Sequence, residues 1–140
     1  MIGLIVVTHG PLAEDLVTAT RRIVGASPRM EAISLDWEEE QSVSRRRIEE
    51  AIHRNEEGQG VLILTDLLGG TASNLSFAFH DPGTVDVVTG VNLPMVIKFT
   101  NLRGLERLDE VAAKIRDEGR KAIYAASEVL GKKDAGKGAA

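Results

Sequence analysis

The chain has 140 residues, 43% of them hydrophobic and 27% charged, which suits one packed core and argues against wholesale disorder. Its formal net charge of -4 speaks against a general nucleic-acid surface, and the absence of cysteine excludes disulfides, thiolate zinc sites and cysteine nucleophiles. No apolar run approaches the roughly 20 residues that cross a bilayer, and the amino terminus lacks the pattern of a signal peptide, so a soluble cytoplasmic protein is expected.

The first stretch is an apolar, β-branched run, Ile2, Leu4, Ile5, Val6 and Val7, that stops at Thr8-His9-Gly10-Pro11. Such a run predicts a strand buried on both faces. A helical pattern follows from Leu12, with Leu16, Ala19, Ile23 and Val24 at helical spacing and Gly25 as its stop. Met30, Ile33 and Leu35 make a short second strand that ends at Asp36-Trp37. Gln41 to Glu57 reads as a charged amphipathic helix with Val43, Ile48, Ala51 and Ile52 inward, closed by Gly58 and Gly60. Val61 to Thr65 is the second fully apolar strand, ending at Asp66-Leu67-Leu68-Gly69-Gly70-Thr71-Ala72-Ser73-Asn74 before a helix at Leu75 to Phe79. Val85 to Thr89 form a fourth strand, followed by Gly90-Val91-Asn92-Leu93-Pro94. Met95 to Leu102 and Leu105 to Glu118 are helical, the latter with Leu108, Val111, Ala112 and Ile115 inward and Gly119 as its end. Lys121 to Leu130 divides its signals, because its alanines favour helix while Ile123 and Tyr124 favour strand. The Gly-, Lys- and Ala-rich tail, 131–140, is expected to be disordered and 1–130 to form the domain.

Strands alternating with helices imply an α/β fold, an open and mainly parallel four-stranded sheet with helices on both faces. Parallel strands end on one edge, and open α/β sheets place ligands there. The ends of the first, third and fourth strands therefore bring His9, Asp66 with its glycines, and Asn92 to one rim.

Among the three histidines, His53 lies on a charged helix face and His80 at a helix end, where a solvated role suffices. His9 occupies a strand-end turn. If Asp66 reaches one imidazole nitrogen it fixes the tautomer, leaves the other nitrogen's lone pair free and stabilises an imidazolium-like ring. Gly69, Gly70 and Thr71 then offer close backbone approach, amides that open a helix and a hydroxyl, all suited to an anion. The segment is not a P-loop, since the lysine and the glycine spacing are missing. No G-x-S-x-G elbow supports a hydrolase, and His9, Asp66 and Asp36 are too few ligands for a metal site. Arg45-Arg46-Arg47 suits a solvated helix face, and Trp37 either lines the rim or packs locally.

Three blocks, I-V-V-T-H-G-P-L-A at 5–13, L-T-D-L-L-G-G-T-A-S-N at 64–74 and T-G-V-N-L-P-M at 89–95, are the basis of a family resemblance. Through them the chain, over roughly residues 1–127, resembles the IIA domain of the mannose family of the bacterial phosphoenolpyruvate-dependent sugar phosphotransferase system (PTS). The resemblance implies that His9 is phosphorylated and that Asp66 orients its ring. Gly10, Gly69, Gly70 and Thr71 would surround the phosphoryl group, with Thr8, Asn74 and Asn92 in support. The family motif commonly reads G-G-S-P-x-N, so Thr71 and Ala72 are departures, of which threonine keeps the hydroxyl. Leu68 stands where better-known members have tryptophan, which bears on the identity of the IIB partner.

The implied activity is a phosphotransferase that takes a phosphoryl group from an HPr-like donor onto His9 and passes it to a IIB histidine. The group is carried covalently, with no cofactor and no metal. The membrane would be reached only indirectly, through a IIC/IID permease. Family members are homodimers that exchange a carboxyl-terminal edge strand, which would make Lys121 to Ala126 a strand. The same residues also suit a regulatory PTS protein that signals by its phosphorylation state, or the phosphoryl-donor subunit of a dihydroxyacetone kinase.

Overall fold

A computed structural model describes residues 1–25, 29–102, 104 and 106–131 of the chain. Its strands are β1 (Gly3–His9), β2 (Met30–Leu35), β3 (Val61–Thr65) and β4 (Val85–Thr89). Its helices are α1 (Leu12–Val24), α2 (Gln41–Asn55), α3 (Thr71–Phe77), α4 (Leu93–Thr100) and α5 (Leu108–Lys121). The strands form one four-stranded sheet in the order β2-β1-β3-β4, and each adjacent pair is parallel.

The two unbroken apolar runs become the two central strands. Residues 4–7 of β1 and 61–64 of β3 are wholly buried, because helices cover both faces of the sheet. On one face Leu4, Val6, Leu62 and Leu64 pack against Ala13 and Val17 of α1, Val96 and Phe99 of α4, and Val111 and Ile115 of α5. On the other, Ile5, Val7 and Ile63 pack against Ile48, Ala51 and Ile52 of α2 and Ala72 of α3.

This layering sets the position of the rim. The chain leaves β1 through α1 on one face to reach β2, then returns through α2 on the opposite face to β3. Strands β1 and β3 are neighbours in register, Val7 opposite Thr65, so the connections diverge between them. A doubly wound sheet opens its ligand crevice at such a switch point, outside the carboxyl ends of the diverging strands.

Several expectations need correction. Helix α1 buries Ala13, Val17 and Thr20, whereas Leu12 and Ile23 face outward. Thr20 tolerates burial because its hydroxyl donates to the Leu16 carbonyl at 2.9 Å. In α2 the inward position near the start is Ser44 rather than the exposed Val43, since the Ser44 hydroxyl bonds the Glu39 carboxylate. Helix α3 begins at Thr71, directly after the glycine pair, and α4 begins at Leu93, where Asn92 caps it.

Gly119 does not end α5, which continues to Lys121. It is instead where α5 meets α4, since a Cβ there would fall 2.5 Å from Met95 Sδ. Lys121 to Ala126 is not a strand: Lys121 closes α5, 123–125 are irregular and 126–131 are helical. A strand exists only as part of a ladder, and no described residue pairs with this segment, so its alanines prevail. The expected tail began at Gly131, which instead closes the helix at 126–131; its remainder, 132–140, and the expected helix start at Leu105 lie outside the described residues.

At the amino-terminal edge of β1 the packing is equally tight, for a Cβ on Gly3 would fall 2.5 Å from the Asn55 backbone oxygen. Backbone cannot yield as a side-chain tip does. Gly3→Ala should therefore lower the unfolding free energy by about 1–3 kcal/mol, read as a shifted urea midpoint with an unchanged slope.

Candidate functional site

The last residue of β1 is His9, and the first residue beyond β3 is Asp66. Adjacency of the two strands brings them together. Asp66 Oδ2 accepts the His9 backbone N–H at 3.0 Å and lies 2.8 Å from His9 Nδ1. An ionised carboxylate only accepts, so Nδ1 carries the proton and Nε2 the lone pair. Among the described residues Nε2 has no hydrogen-bond partner. The His9 side chain keeps 20% of its surface exposed, against 11% for Asp66.

Asp66 is itself held in place, because its Oδ1 accepts the Leu67 N–H at 3.0 Å. Partial burial pushes its carboxyl upward, but the hydrogen bonds from the backbone and ring N–H groups of His9 and from the Leu67 N–H outweigh that and hold it below the ordinary aspartate value.

The glycines have separate tasks. Gly10 turns the chain out of β1 with φ +56°, and its N–H donates to the Leu35 carbonyl at 2.8 Å. Gly70 lies against the imidazole, where a Cβ would sit 2.7 Å from His9 Cε1 and 3.4 Å from Nε2. Any side chain at Gly70 would displace the ring. Gly69 adopts φ +88°, and its N–H already donates to Ser73 Oγ at 3.0 Å. The amide of Gly69 is thus engaged within the turn rather than offered to an anion. Ser73 completes the brace by donating to the Gly70 carbonyl at 3.0 Å. Sequence reasoning did not single out Ser73, although a serine three residues past a glycine at a helix start is a known turn-bracing pattern.

Thr71 opens α3, and its hydroxyl makes no hydrogen bond to the described residues. The supporting residues are placed differently. Thr8 is buried, its Oγ1 accepting the Ala13 N–H at 2.7 Å, which fixes the β1–α1 turn. Asn74 is exposed, and its backbone N–H donates to the Gly70 carbonyl at 2.9 Å. Asn92 caps α4 by accepting the Met95 N–H at 3.2 Å, and donates to the Gly119 carbonyl at 3.1 Å. None of its hydrogen bonds reaches the His9–Asp66 pair.

Trp37 lines the rim. Its indole stacks on the imidazole of His9 with ring centroids 5.3 Å apart and planes at 23°. The described residues include no group of three His, Cys, Asp or Glu side chains able to hold a metal ion, and no helix long and apolar enough to cross a membrane.

The family EIIA-man, described as the PTS system fructose IIA component, matches residues 3–116 of this chain. The PTS system fructose-specific EIIA component of Bacillus subtilis (strain 168) is 26% identical over 133 residues, covering 94% of this chain and 91% of its own. A crystal structure of the phosphotransferase system component EIIA from Streptococcus agalactiae superposes with a TM-score of 0.82 at 25% identity, over 91% of this chain and 99% of that one. The mannose/sorbose specific IIA subunit from Enterococcus faecalis gives a TM-score of 0.79 at 28% identity, over 89% and 93%.

Because the Asp66 carboxyl is held low, the stability it contributes is fully present above the unfolded aspartate value of about 3.9 and is lost as pH falls through the lower folded value. The carboxyl carbon resonance of Asp66 should accordingly titrate below about 3.9, and a midpoint above it would contradict the double hydrogen bond.

Proposed function

Since the chain belongs to the EIIA-man family, the IIA components of the sugar phosphotransferase system, we propose that it carries a phosphoryl group on His9, received from an HPr-like protein and passed to a IIB histidine. The observation that carries this reading is the pairing of Nδ1 with Asp66 while Nε2 stays free at the carboxyl edge of the sheet. His9 Nε2 attacks the phosphorus of the donor's phosphohistidine. The new N–P bond forms as the donor's N–P bond breaks, and that electron pair returns to the donor imidazole. Nδ1 keeps its proton, so the positive charge gained by the ring lies against the Asp66 carboxylate, within 2.8 Å. Transfer onward reverses the sequence on the acceptor's imidazole.

Exchange between two imidazoles is close to balanced, so positioning and modest anion stabilisation suffice. The free hydroxyl of Thr71 and the backbone at Gly70 supply the latter role. The phosphoryl group is held covalently, and the reading needs neither cofactor nor metal. Leu67 and Leu68, exposed beside the rim, suit a protein that docks two partners in turn in the cytoplasm and meets a IIC/IID permease only through IIB.

A homodimer is part of the proposal. The outer edge of β4 pairs with no strand among the described residues, and a cleft of about 460 Å³ runs between β4 and α5. Ile123, Tyr124, Val129 and Leu130 leave apolar surface exposed beyond α5. A second copy would cover both features. Sedimentation equilibrium at micromolar concentration should return twice the chain mass, and a monomer there would remove this part of the proposal.

With radiolabelled phospho-HPr as donor, the wild type should take label and His9→Ala none. Asp66→Ala should stay folded and label about 10²- to 10⁴-fold more slowly, the penalty for losing ring orientation and charge pairing. Label retained by His9→Ala would refute the assignment.

A further inference from the structure

The exposed Trp37 has no part in the relay described above. A tryptophan is large and apolar, and 79% exposure leaves it little share in the core. Among the described residues its indole stacks on the face of His9. The loop that carries it is nonetheless fixed. The Glu39 N–H donates to the Asp36 carbonyl at 3.1 Å, closing a turn around Trp37. The Glu39 carboxylate takes hydrogen bonds from Ser44 and from Arg47, the latter at 2.6 Å, and Arg47 also reaches the Ser34 carbonyl at 3.3 Å. On the other side, Gly10 bonds back to Leu35, so the turns bearing His9 and Trp37 are stitched together.

The imidazole needs such a wall. One hydrogen bond at Nδ1 fixes an edge of the ring but leaves it free to rock about that bond. Gly70 bounds the Cε1 side, and the indole lies across one face. We propose that Trp37 is a positioning residue for phosphoryl transfer, its indole stacked on one face of His9 so that the ring stays in the plane that presents Nε2 outward. The inference rests on His9 being the phosphoryl acceptor. The π face also favours the positive ring that exists once Nε2 is phosphorylated and Nδ1 keeps its proton.

A wall and a docking contact predict different behaviour. Phosphoramidate is a small donor with no surface to dock: Nε2 bonds to phosphorus, the P–N bond breaks, and its electron pair leaves on ammonia. With it, the full-length wild type should be labelled at His9 and His9→Ala should not. Trp37→Ala should be labelled roughly three- to tenfold more slowly, and Trp37→Phe, which keeps an aromatic face, should recover most of the rate. Trp37 is the chain's one tryptophan, so wild-type indole emission should change on phosphorylation. Labelling of Trp37→Ala at the wild-type rate, or an emission indifferent to phosphorylation, would overturn the positioning role while leaving His9 as the acceptor. A wild type that takes no label at His9 from phosphoramidate or from phospho-HPr would overturn both.

Discussion

The site depends on one oxygen atom. Asp66 Oδ2 accepts from the His9 backbone and faces the His9 ring, so the carboxylate is tied to the strand as well as to the side chain. The bond to the strand end holds whether or not the ring is in place. It requires that the residue after β3 lie beside the last residue of β1, which is a statement about sheet order. Both central strands are buried on both faces, and their lateral register is set by the ladder between Gly3–Val7 and Val61–Thr65. The hydrophobic core thus does the aligning, and the polar pair inherits the result.

The remaining rim residues serve that pair by space or by restraint. Gly70 yields the volume the imidazole occupies, and Gly10 turns the chain so that α1 can start without burying the ring. Thr8 and Ser73 hold the two turns through side-chain bonds to nearby backbone. Groups that look alike in a motif differ in availability: the Gly69 amide is consumed by its own turn, while the Thr71 hydroxyl is not.

The central strands β1 and β3 were legible because each is a compact apolar run with sharp ends. The His9 and Asp66 positions followed from those ends. What periodicity could not show was which strands are adjacent, since that order arises from contacts between residues far apart in the chain. The helix faces were misread where size and hydrogen bonding override hydropathy. Ala13 and Ser44 are small enough for close contact, and Thr20 satisfies its own hydroxyl, while the larger Leu12 and Val43 stay outside. Gly119 looked like a stop because glycine ends helices, but here the missing side chain makes room for Met95. Trp37 was undecidable from sequence, because a loop aromatic gives no periodic signal of what it faces.

The carboxylate's two anchors have a consequence for preorganisation. With Oδ1 on the Leu67 amide and Oδ2 on the backbone of His9, its orientation does not depend on the imidazole that visits it. If the ring were removed, as in His9→Ala, the carboxylate would keep the same aim. The acid is therefore a fixed socket for the imidazole, set by backbone amides alone.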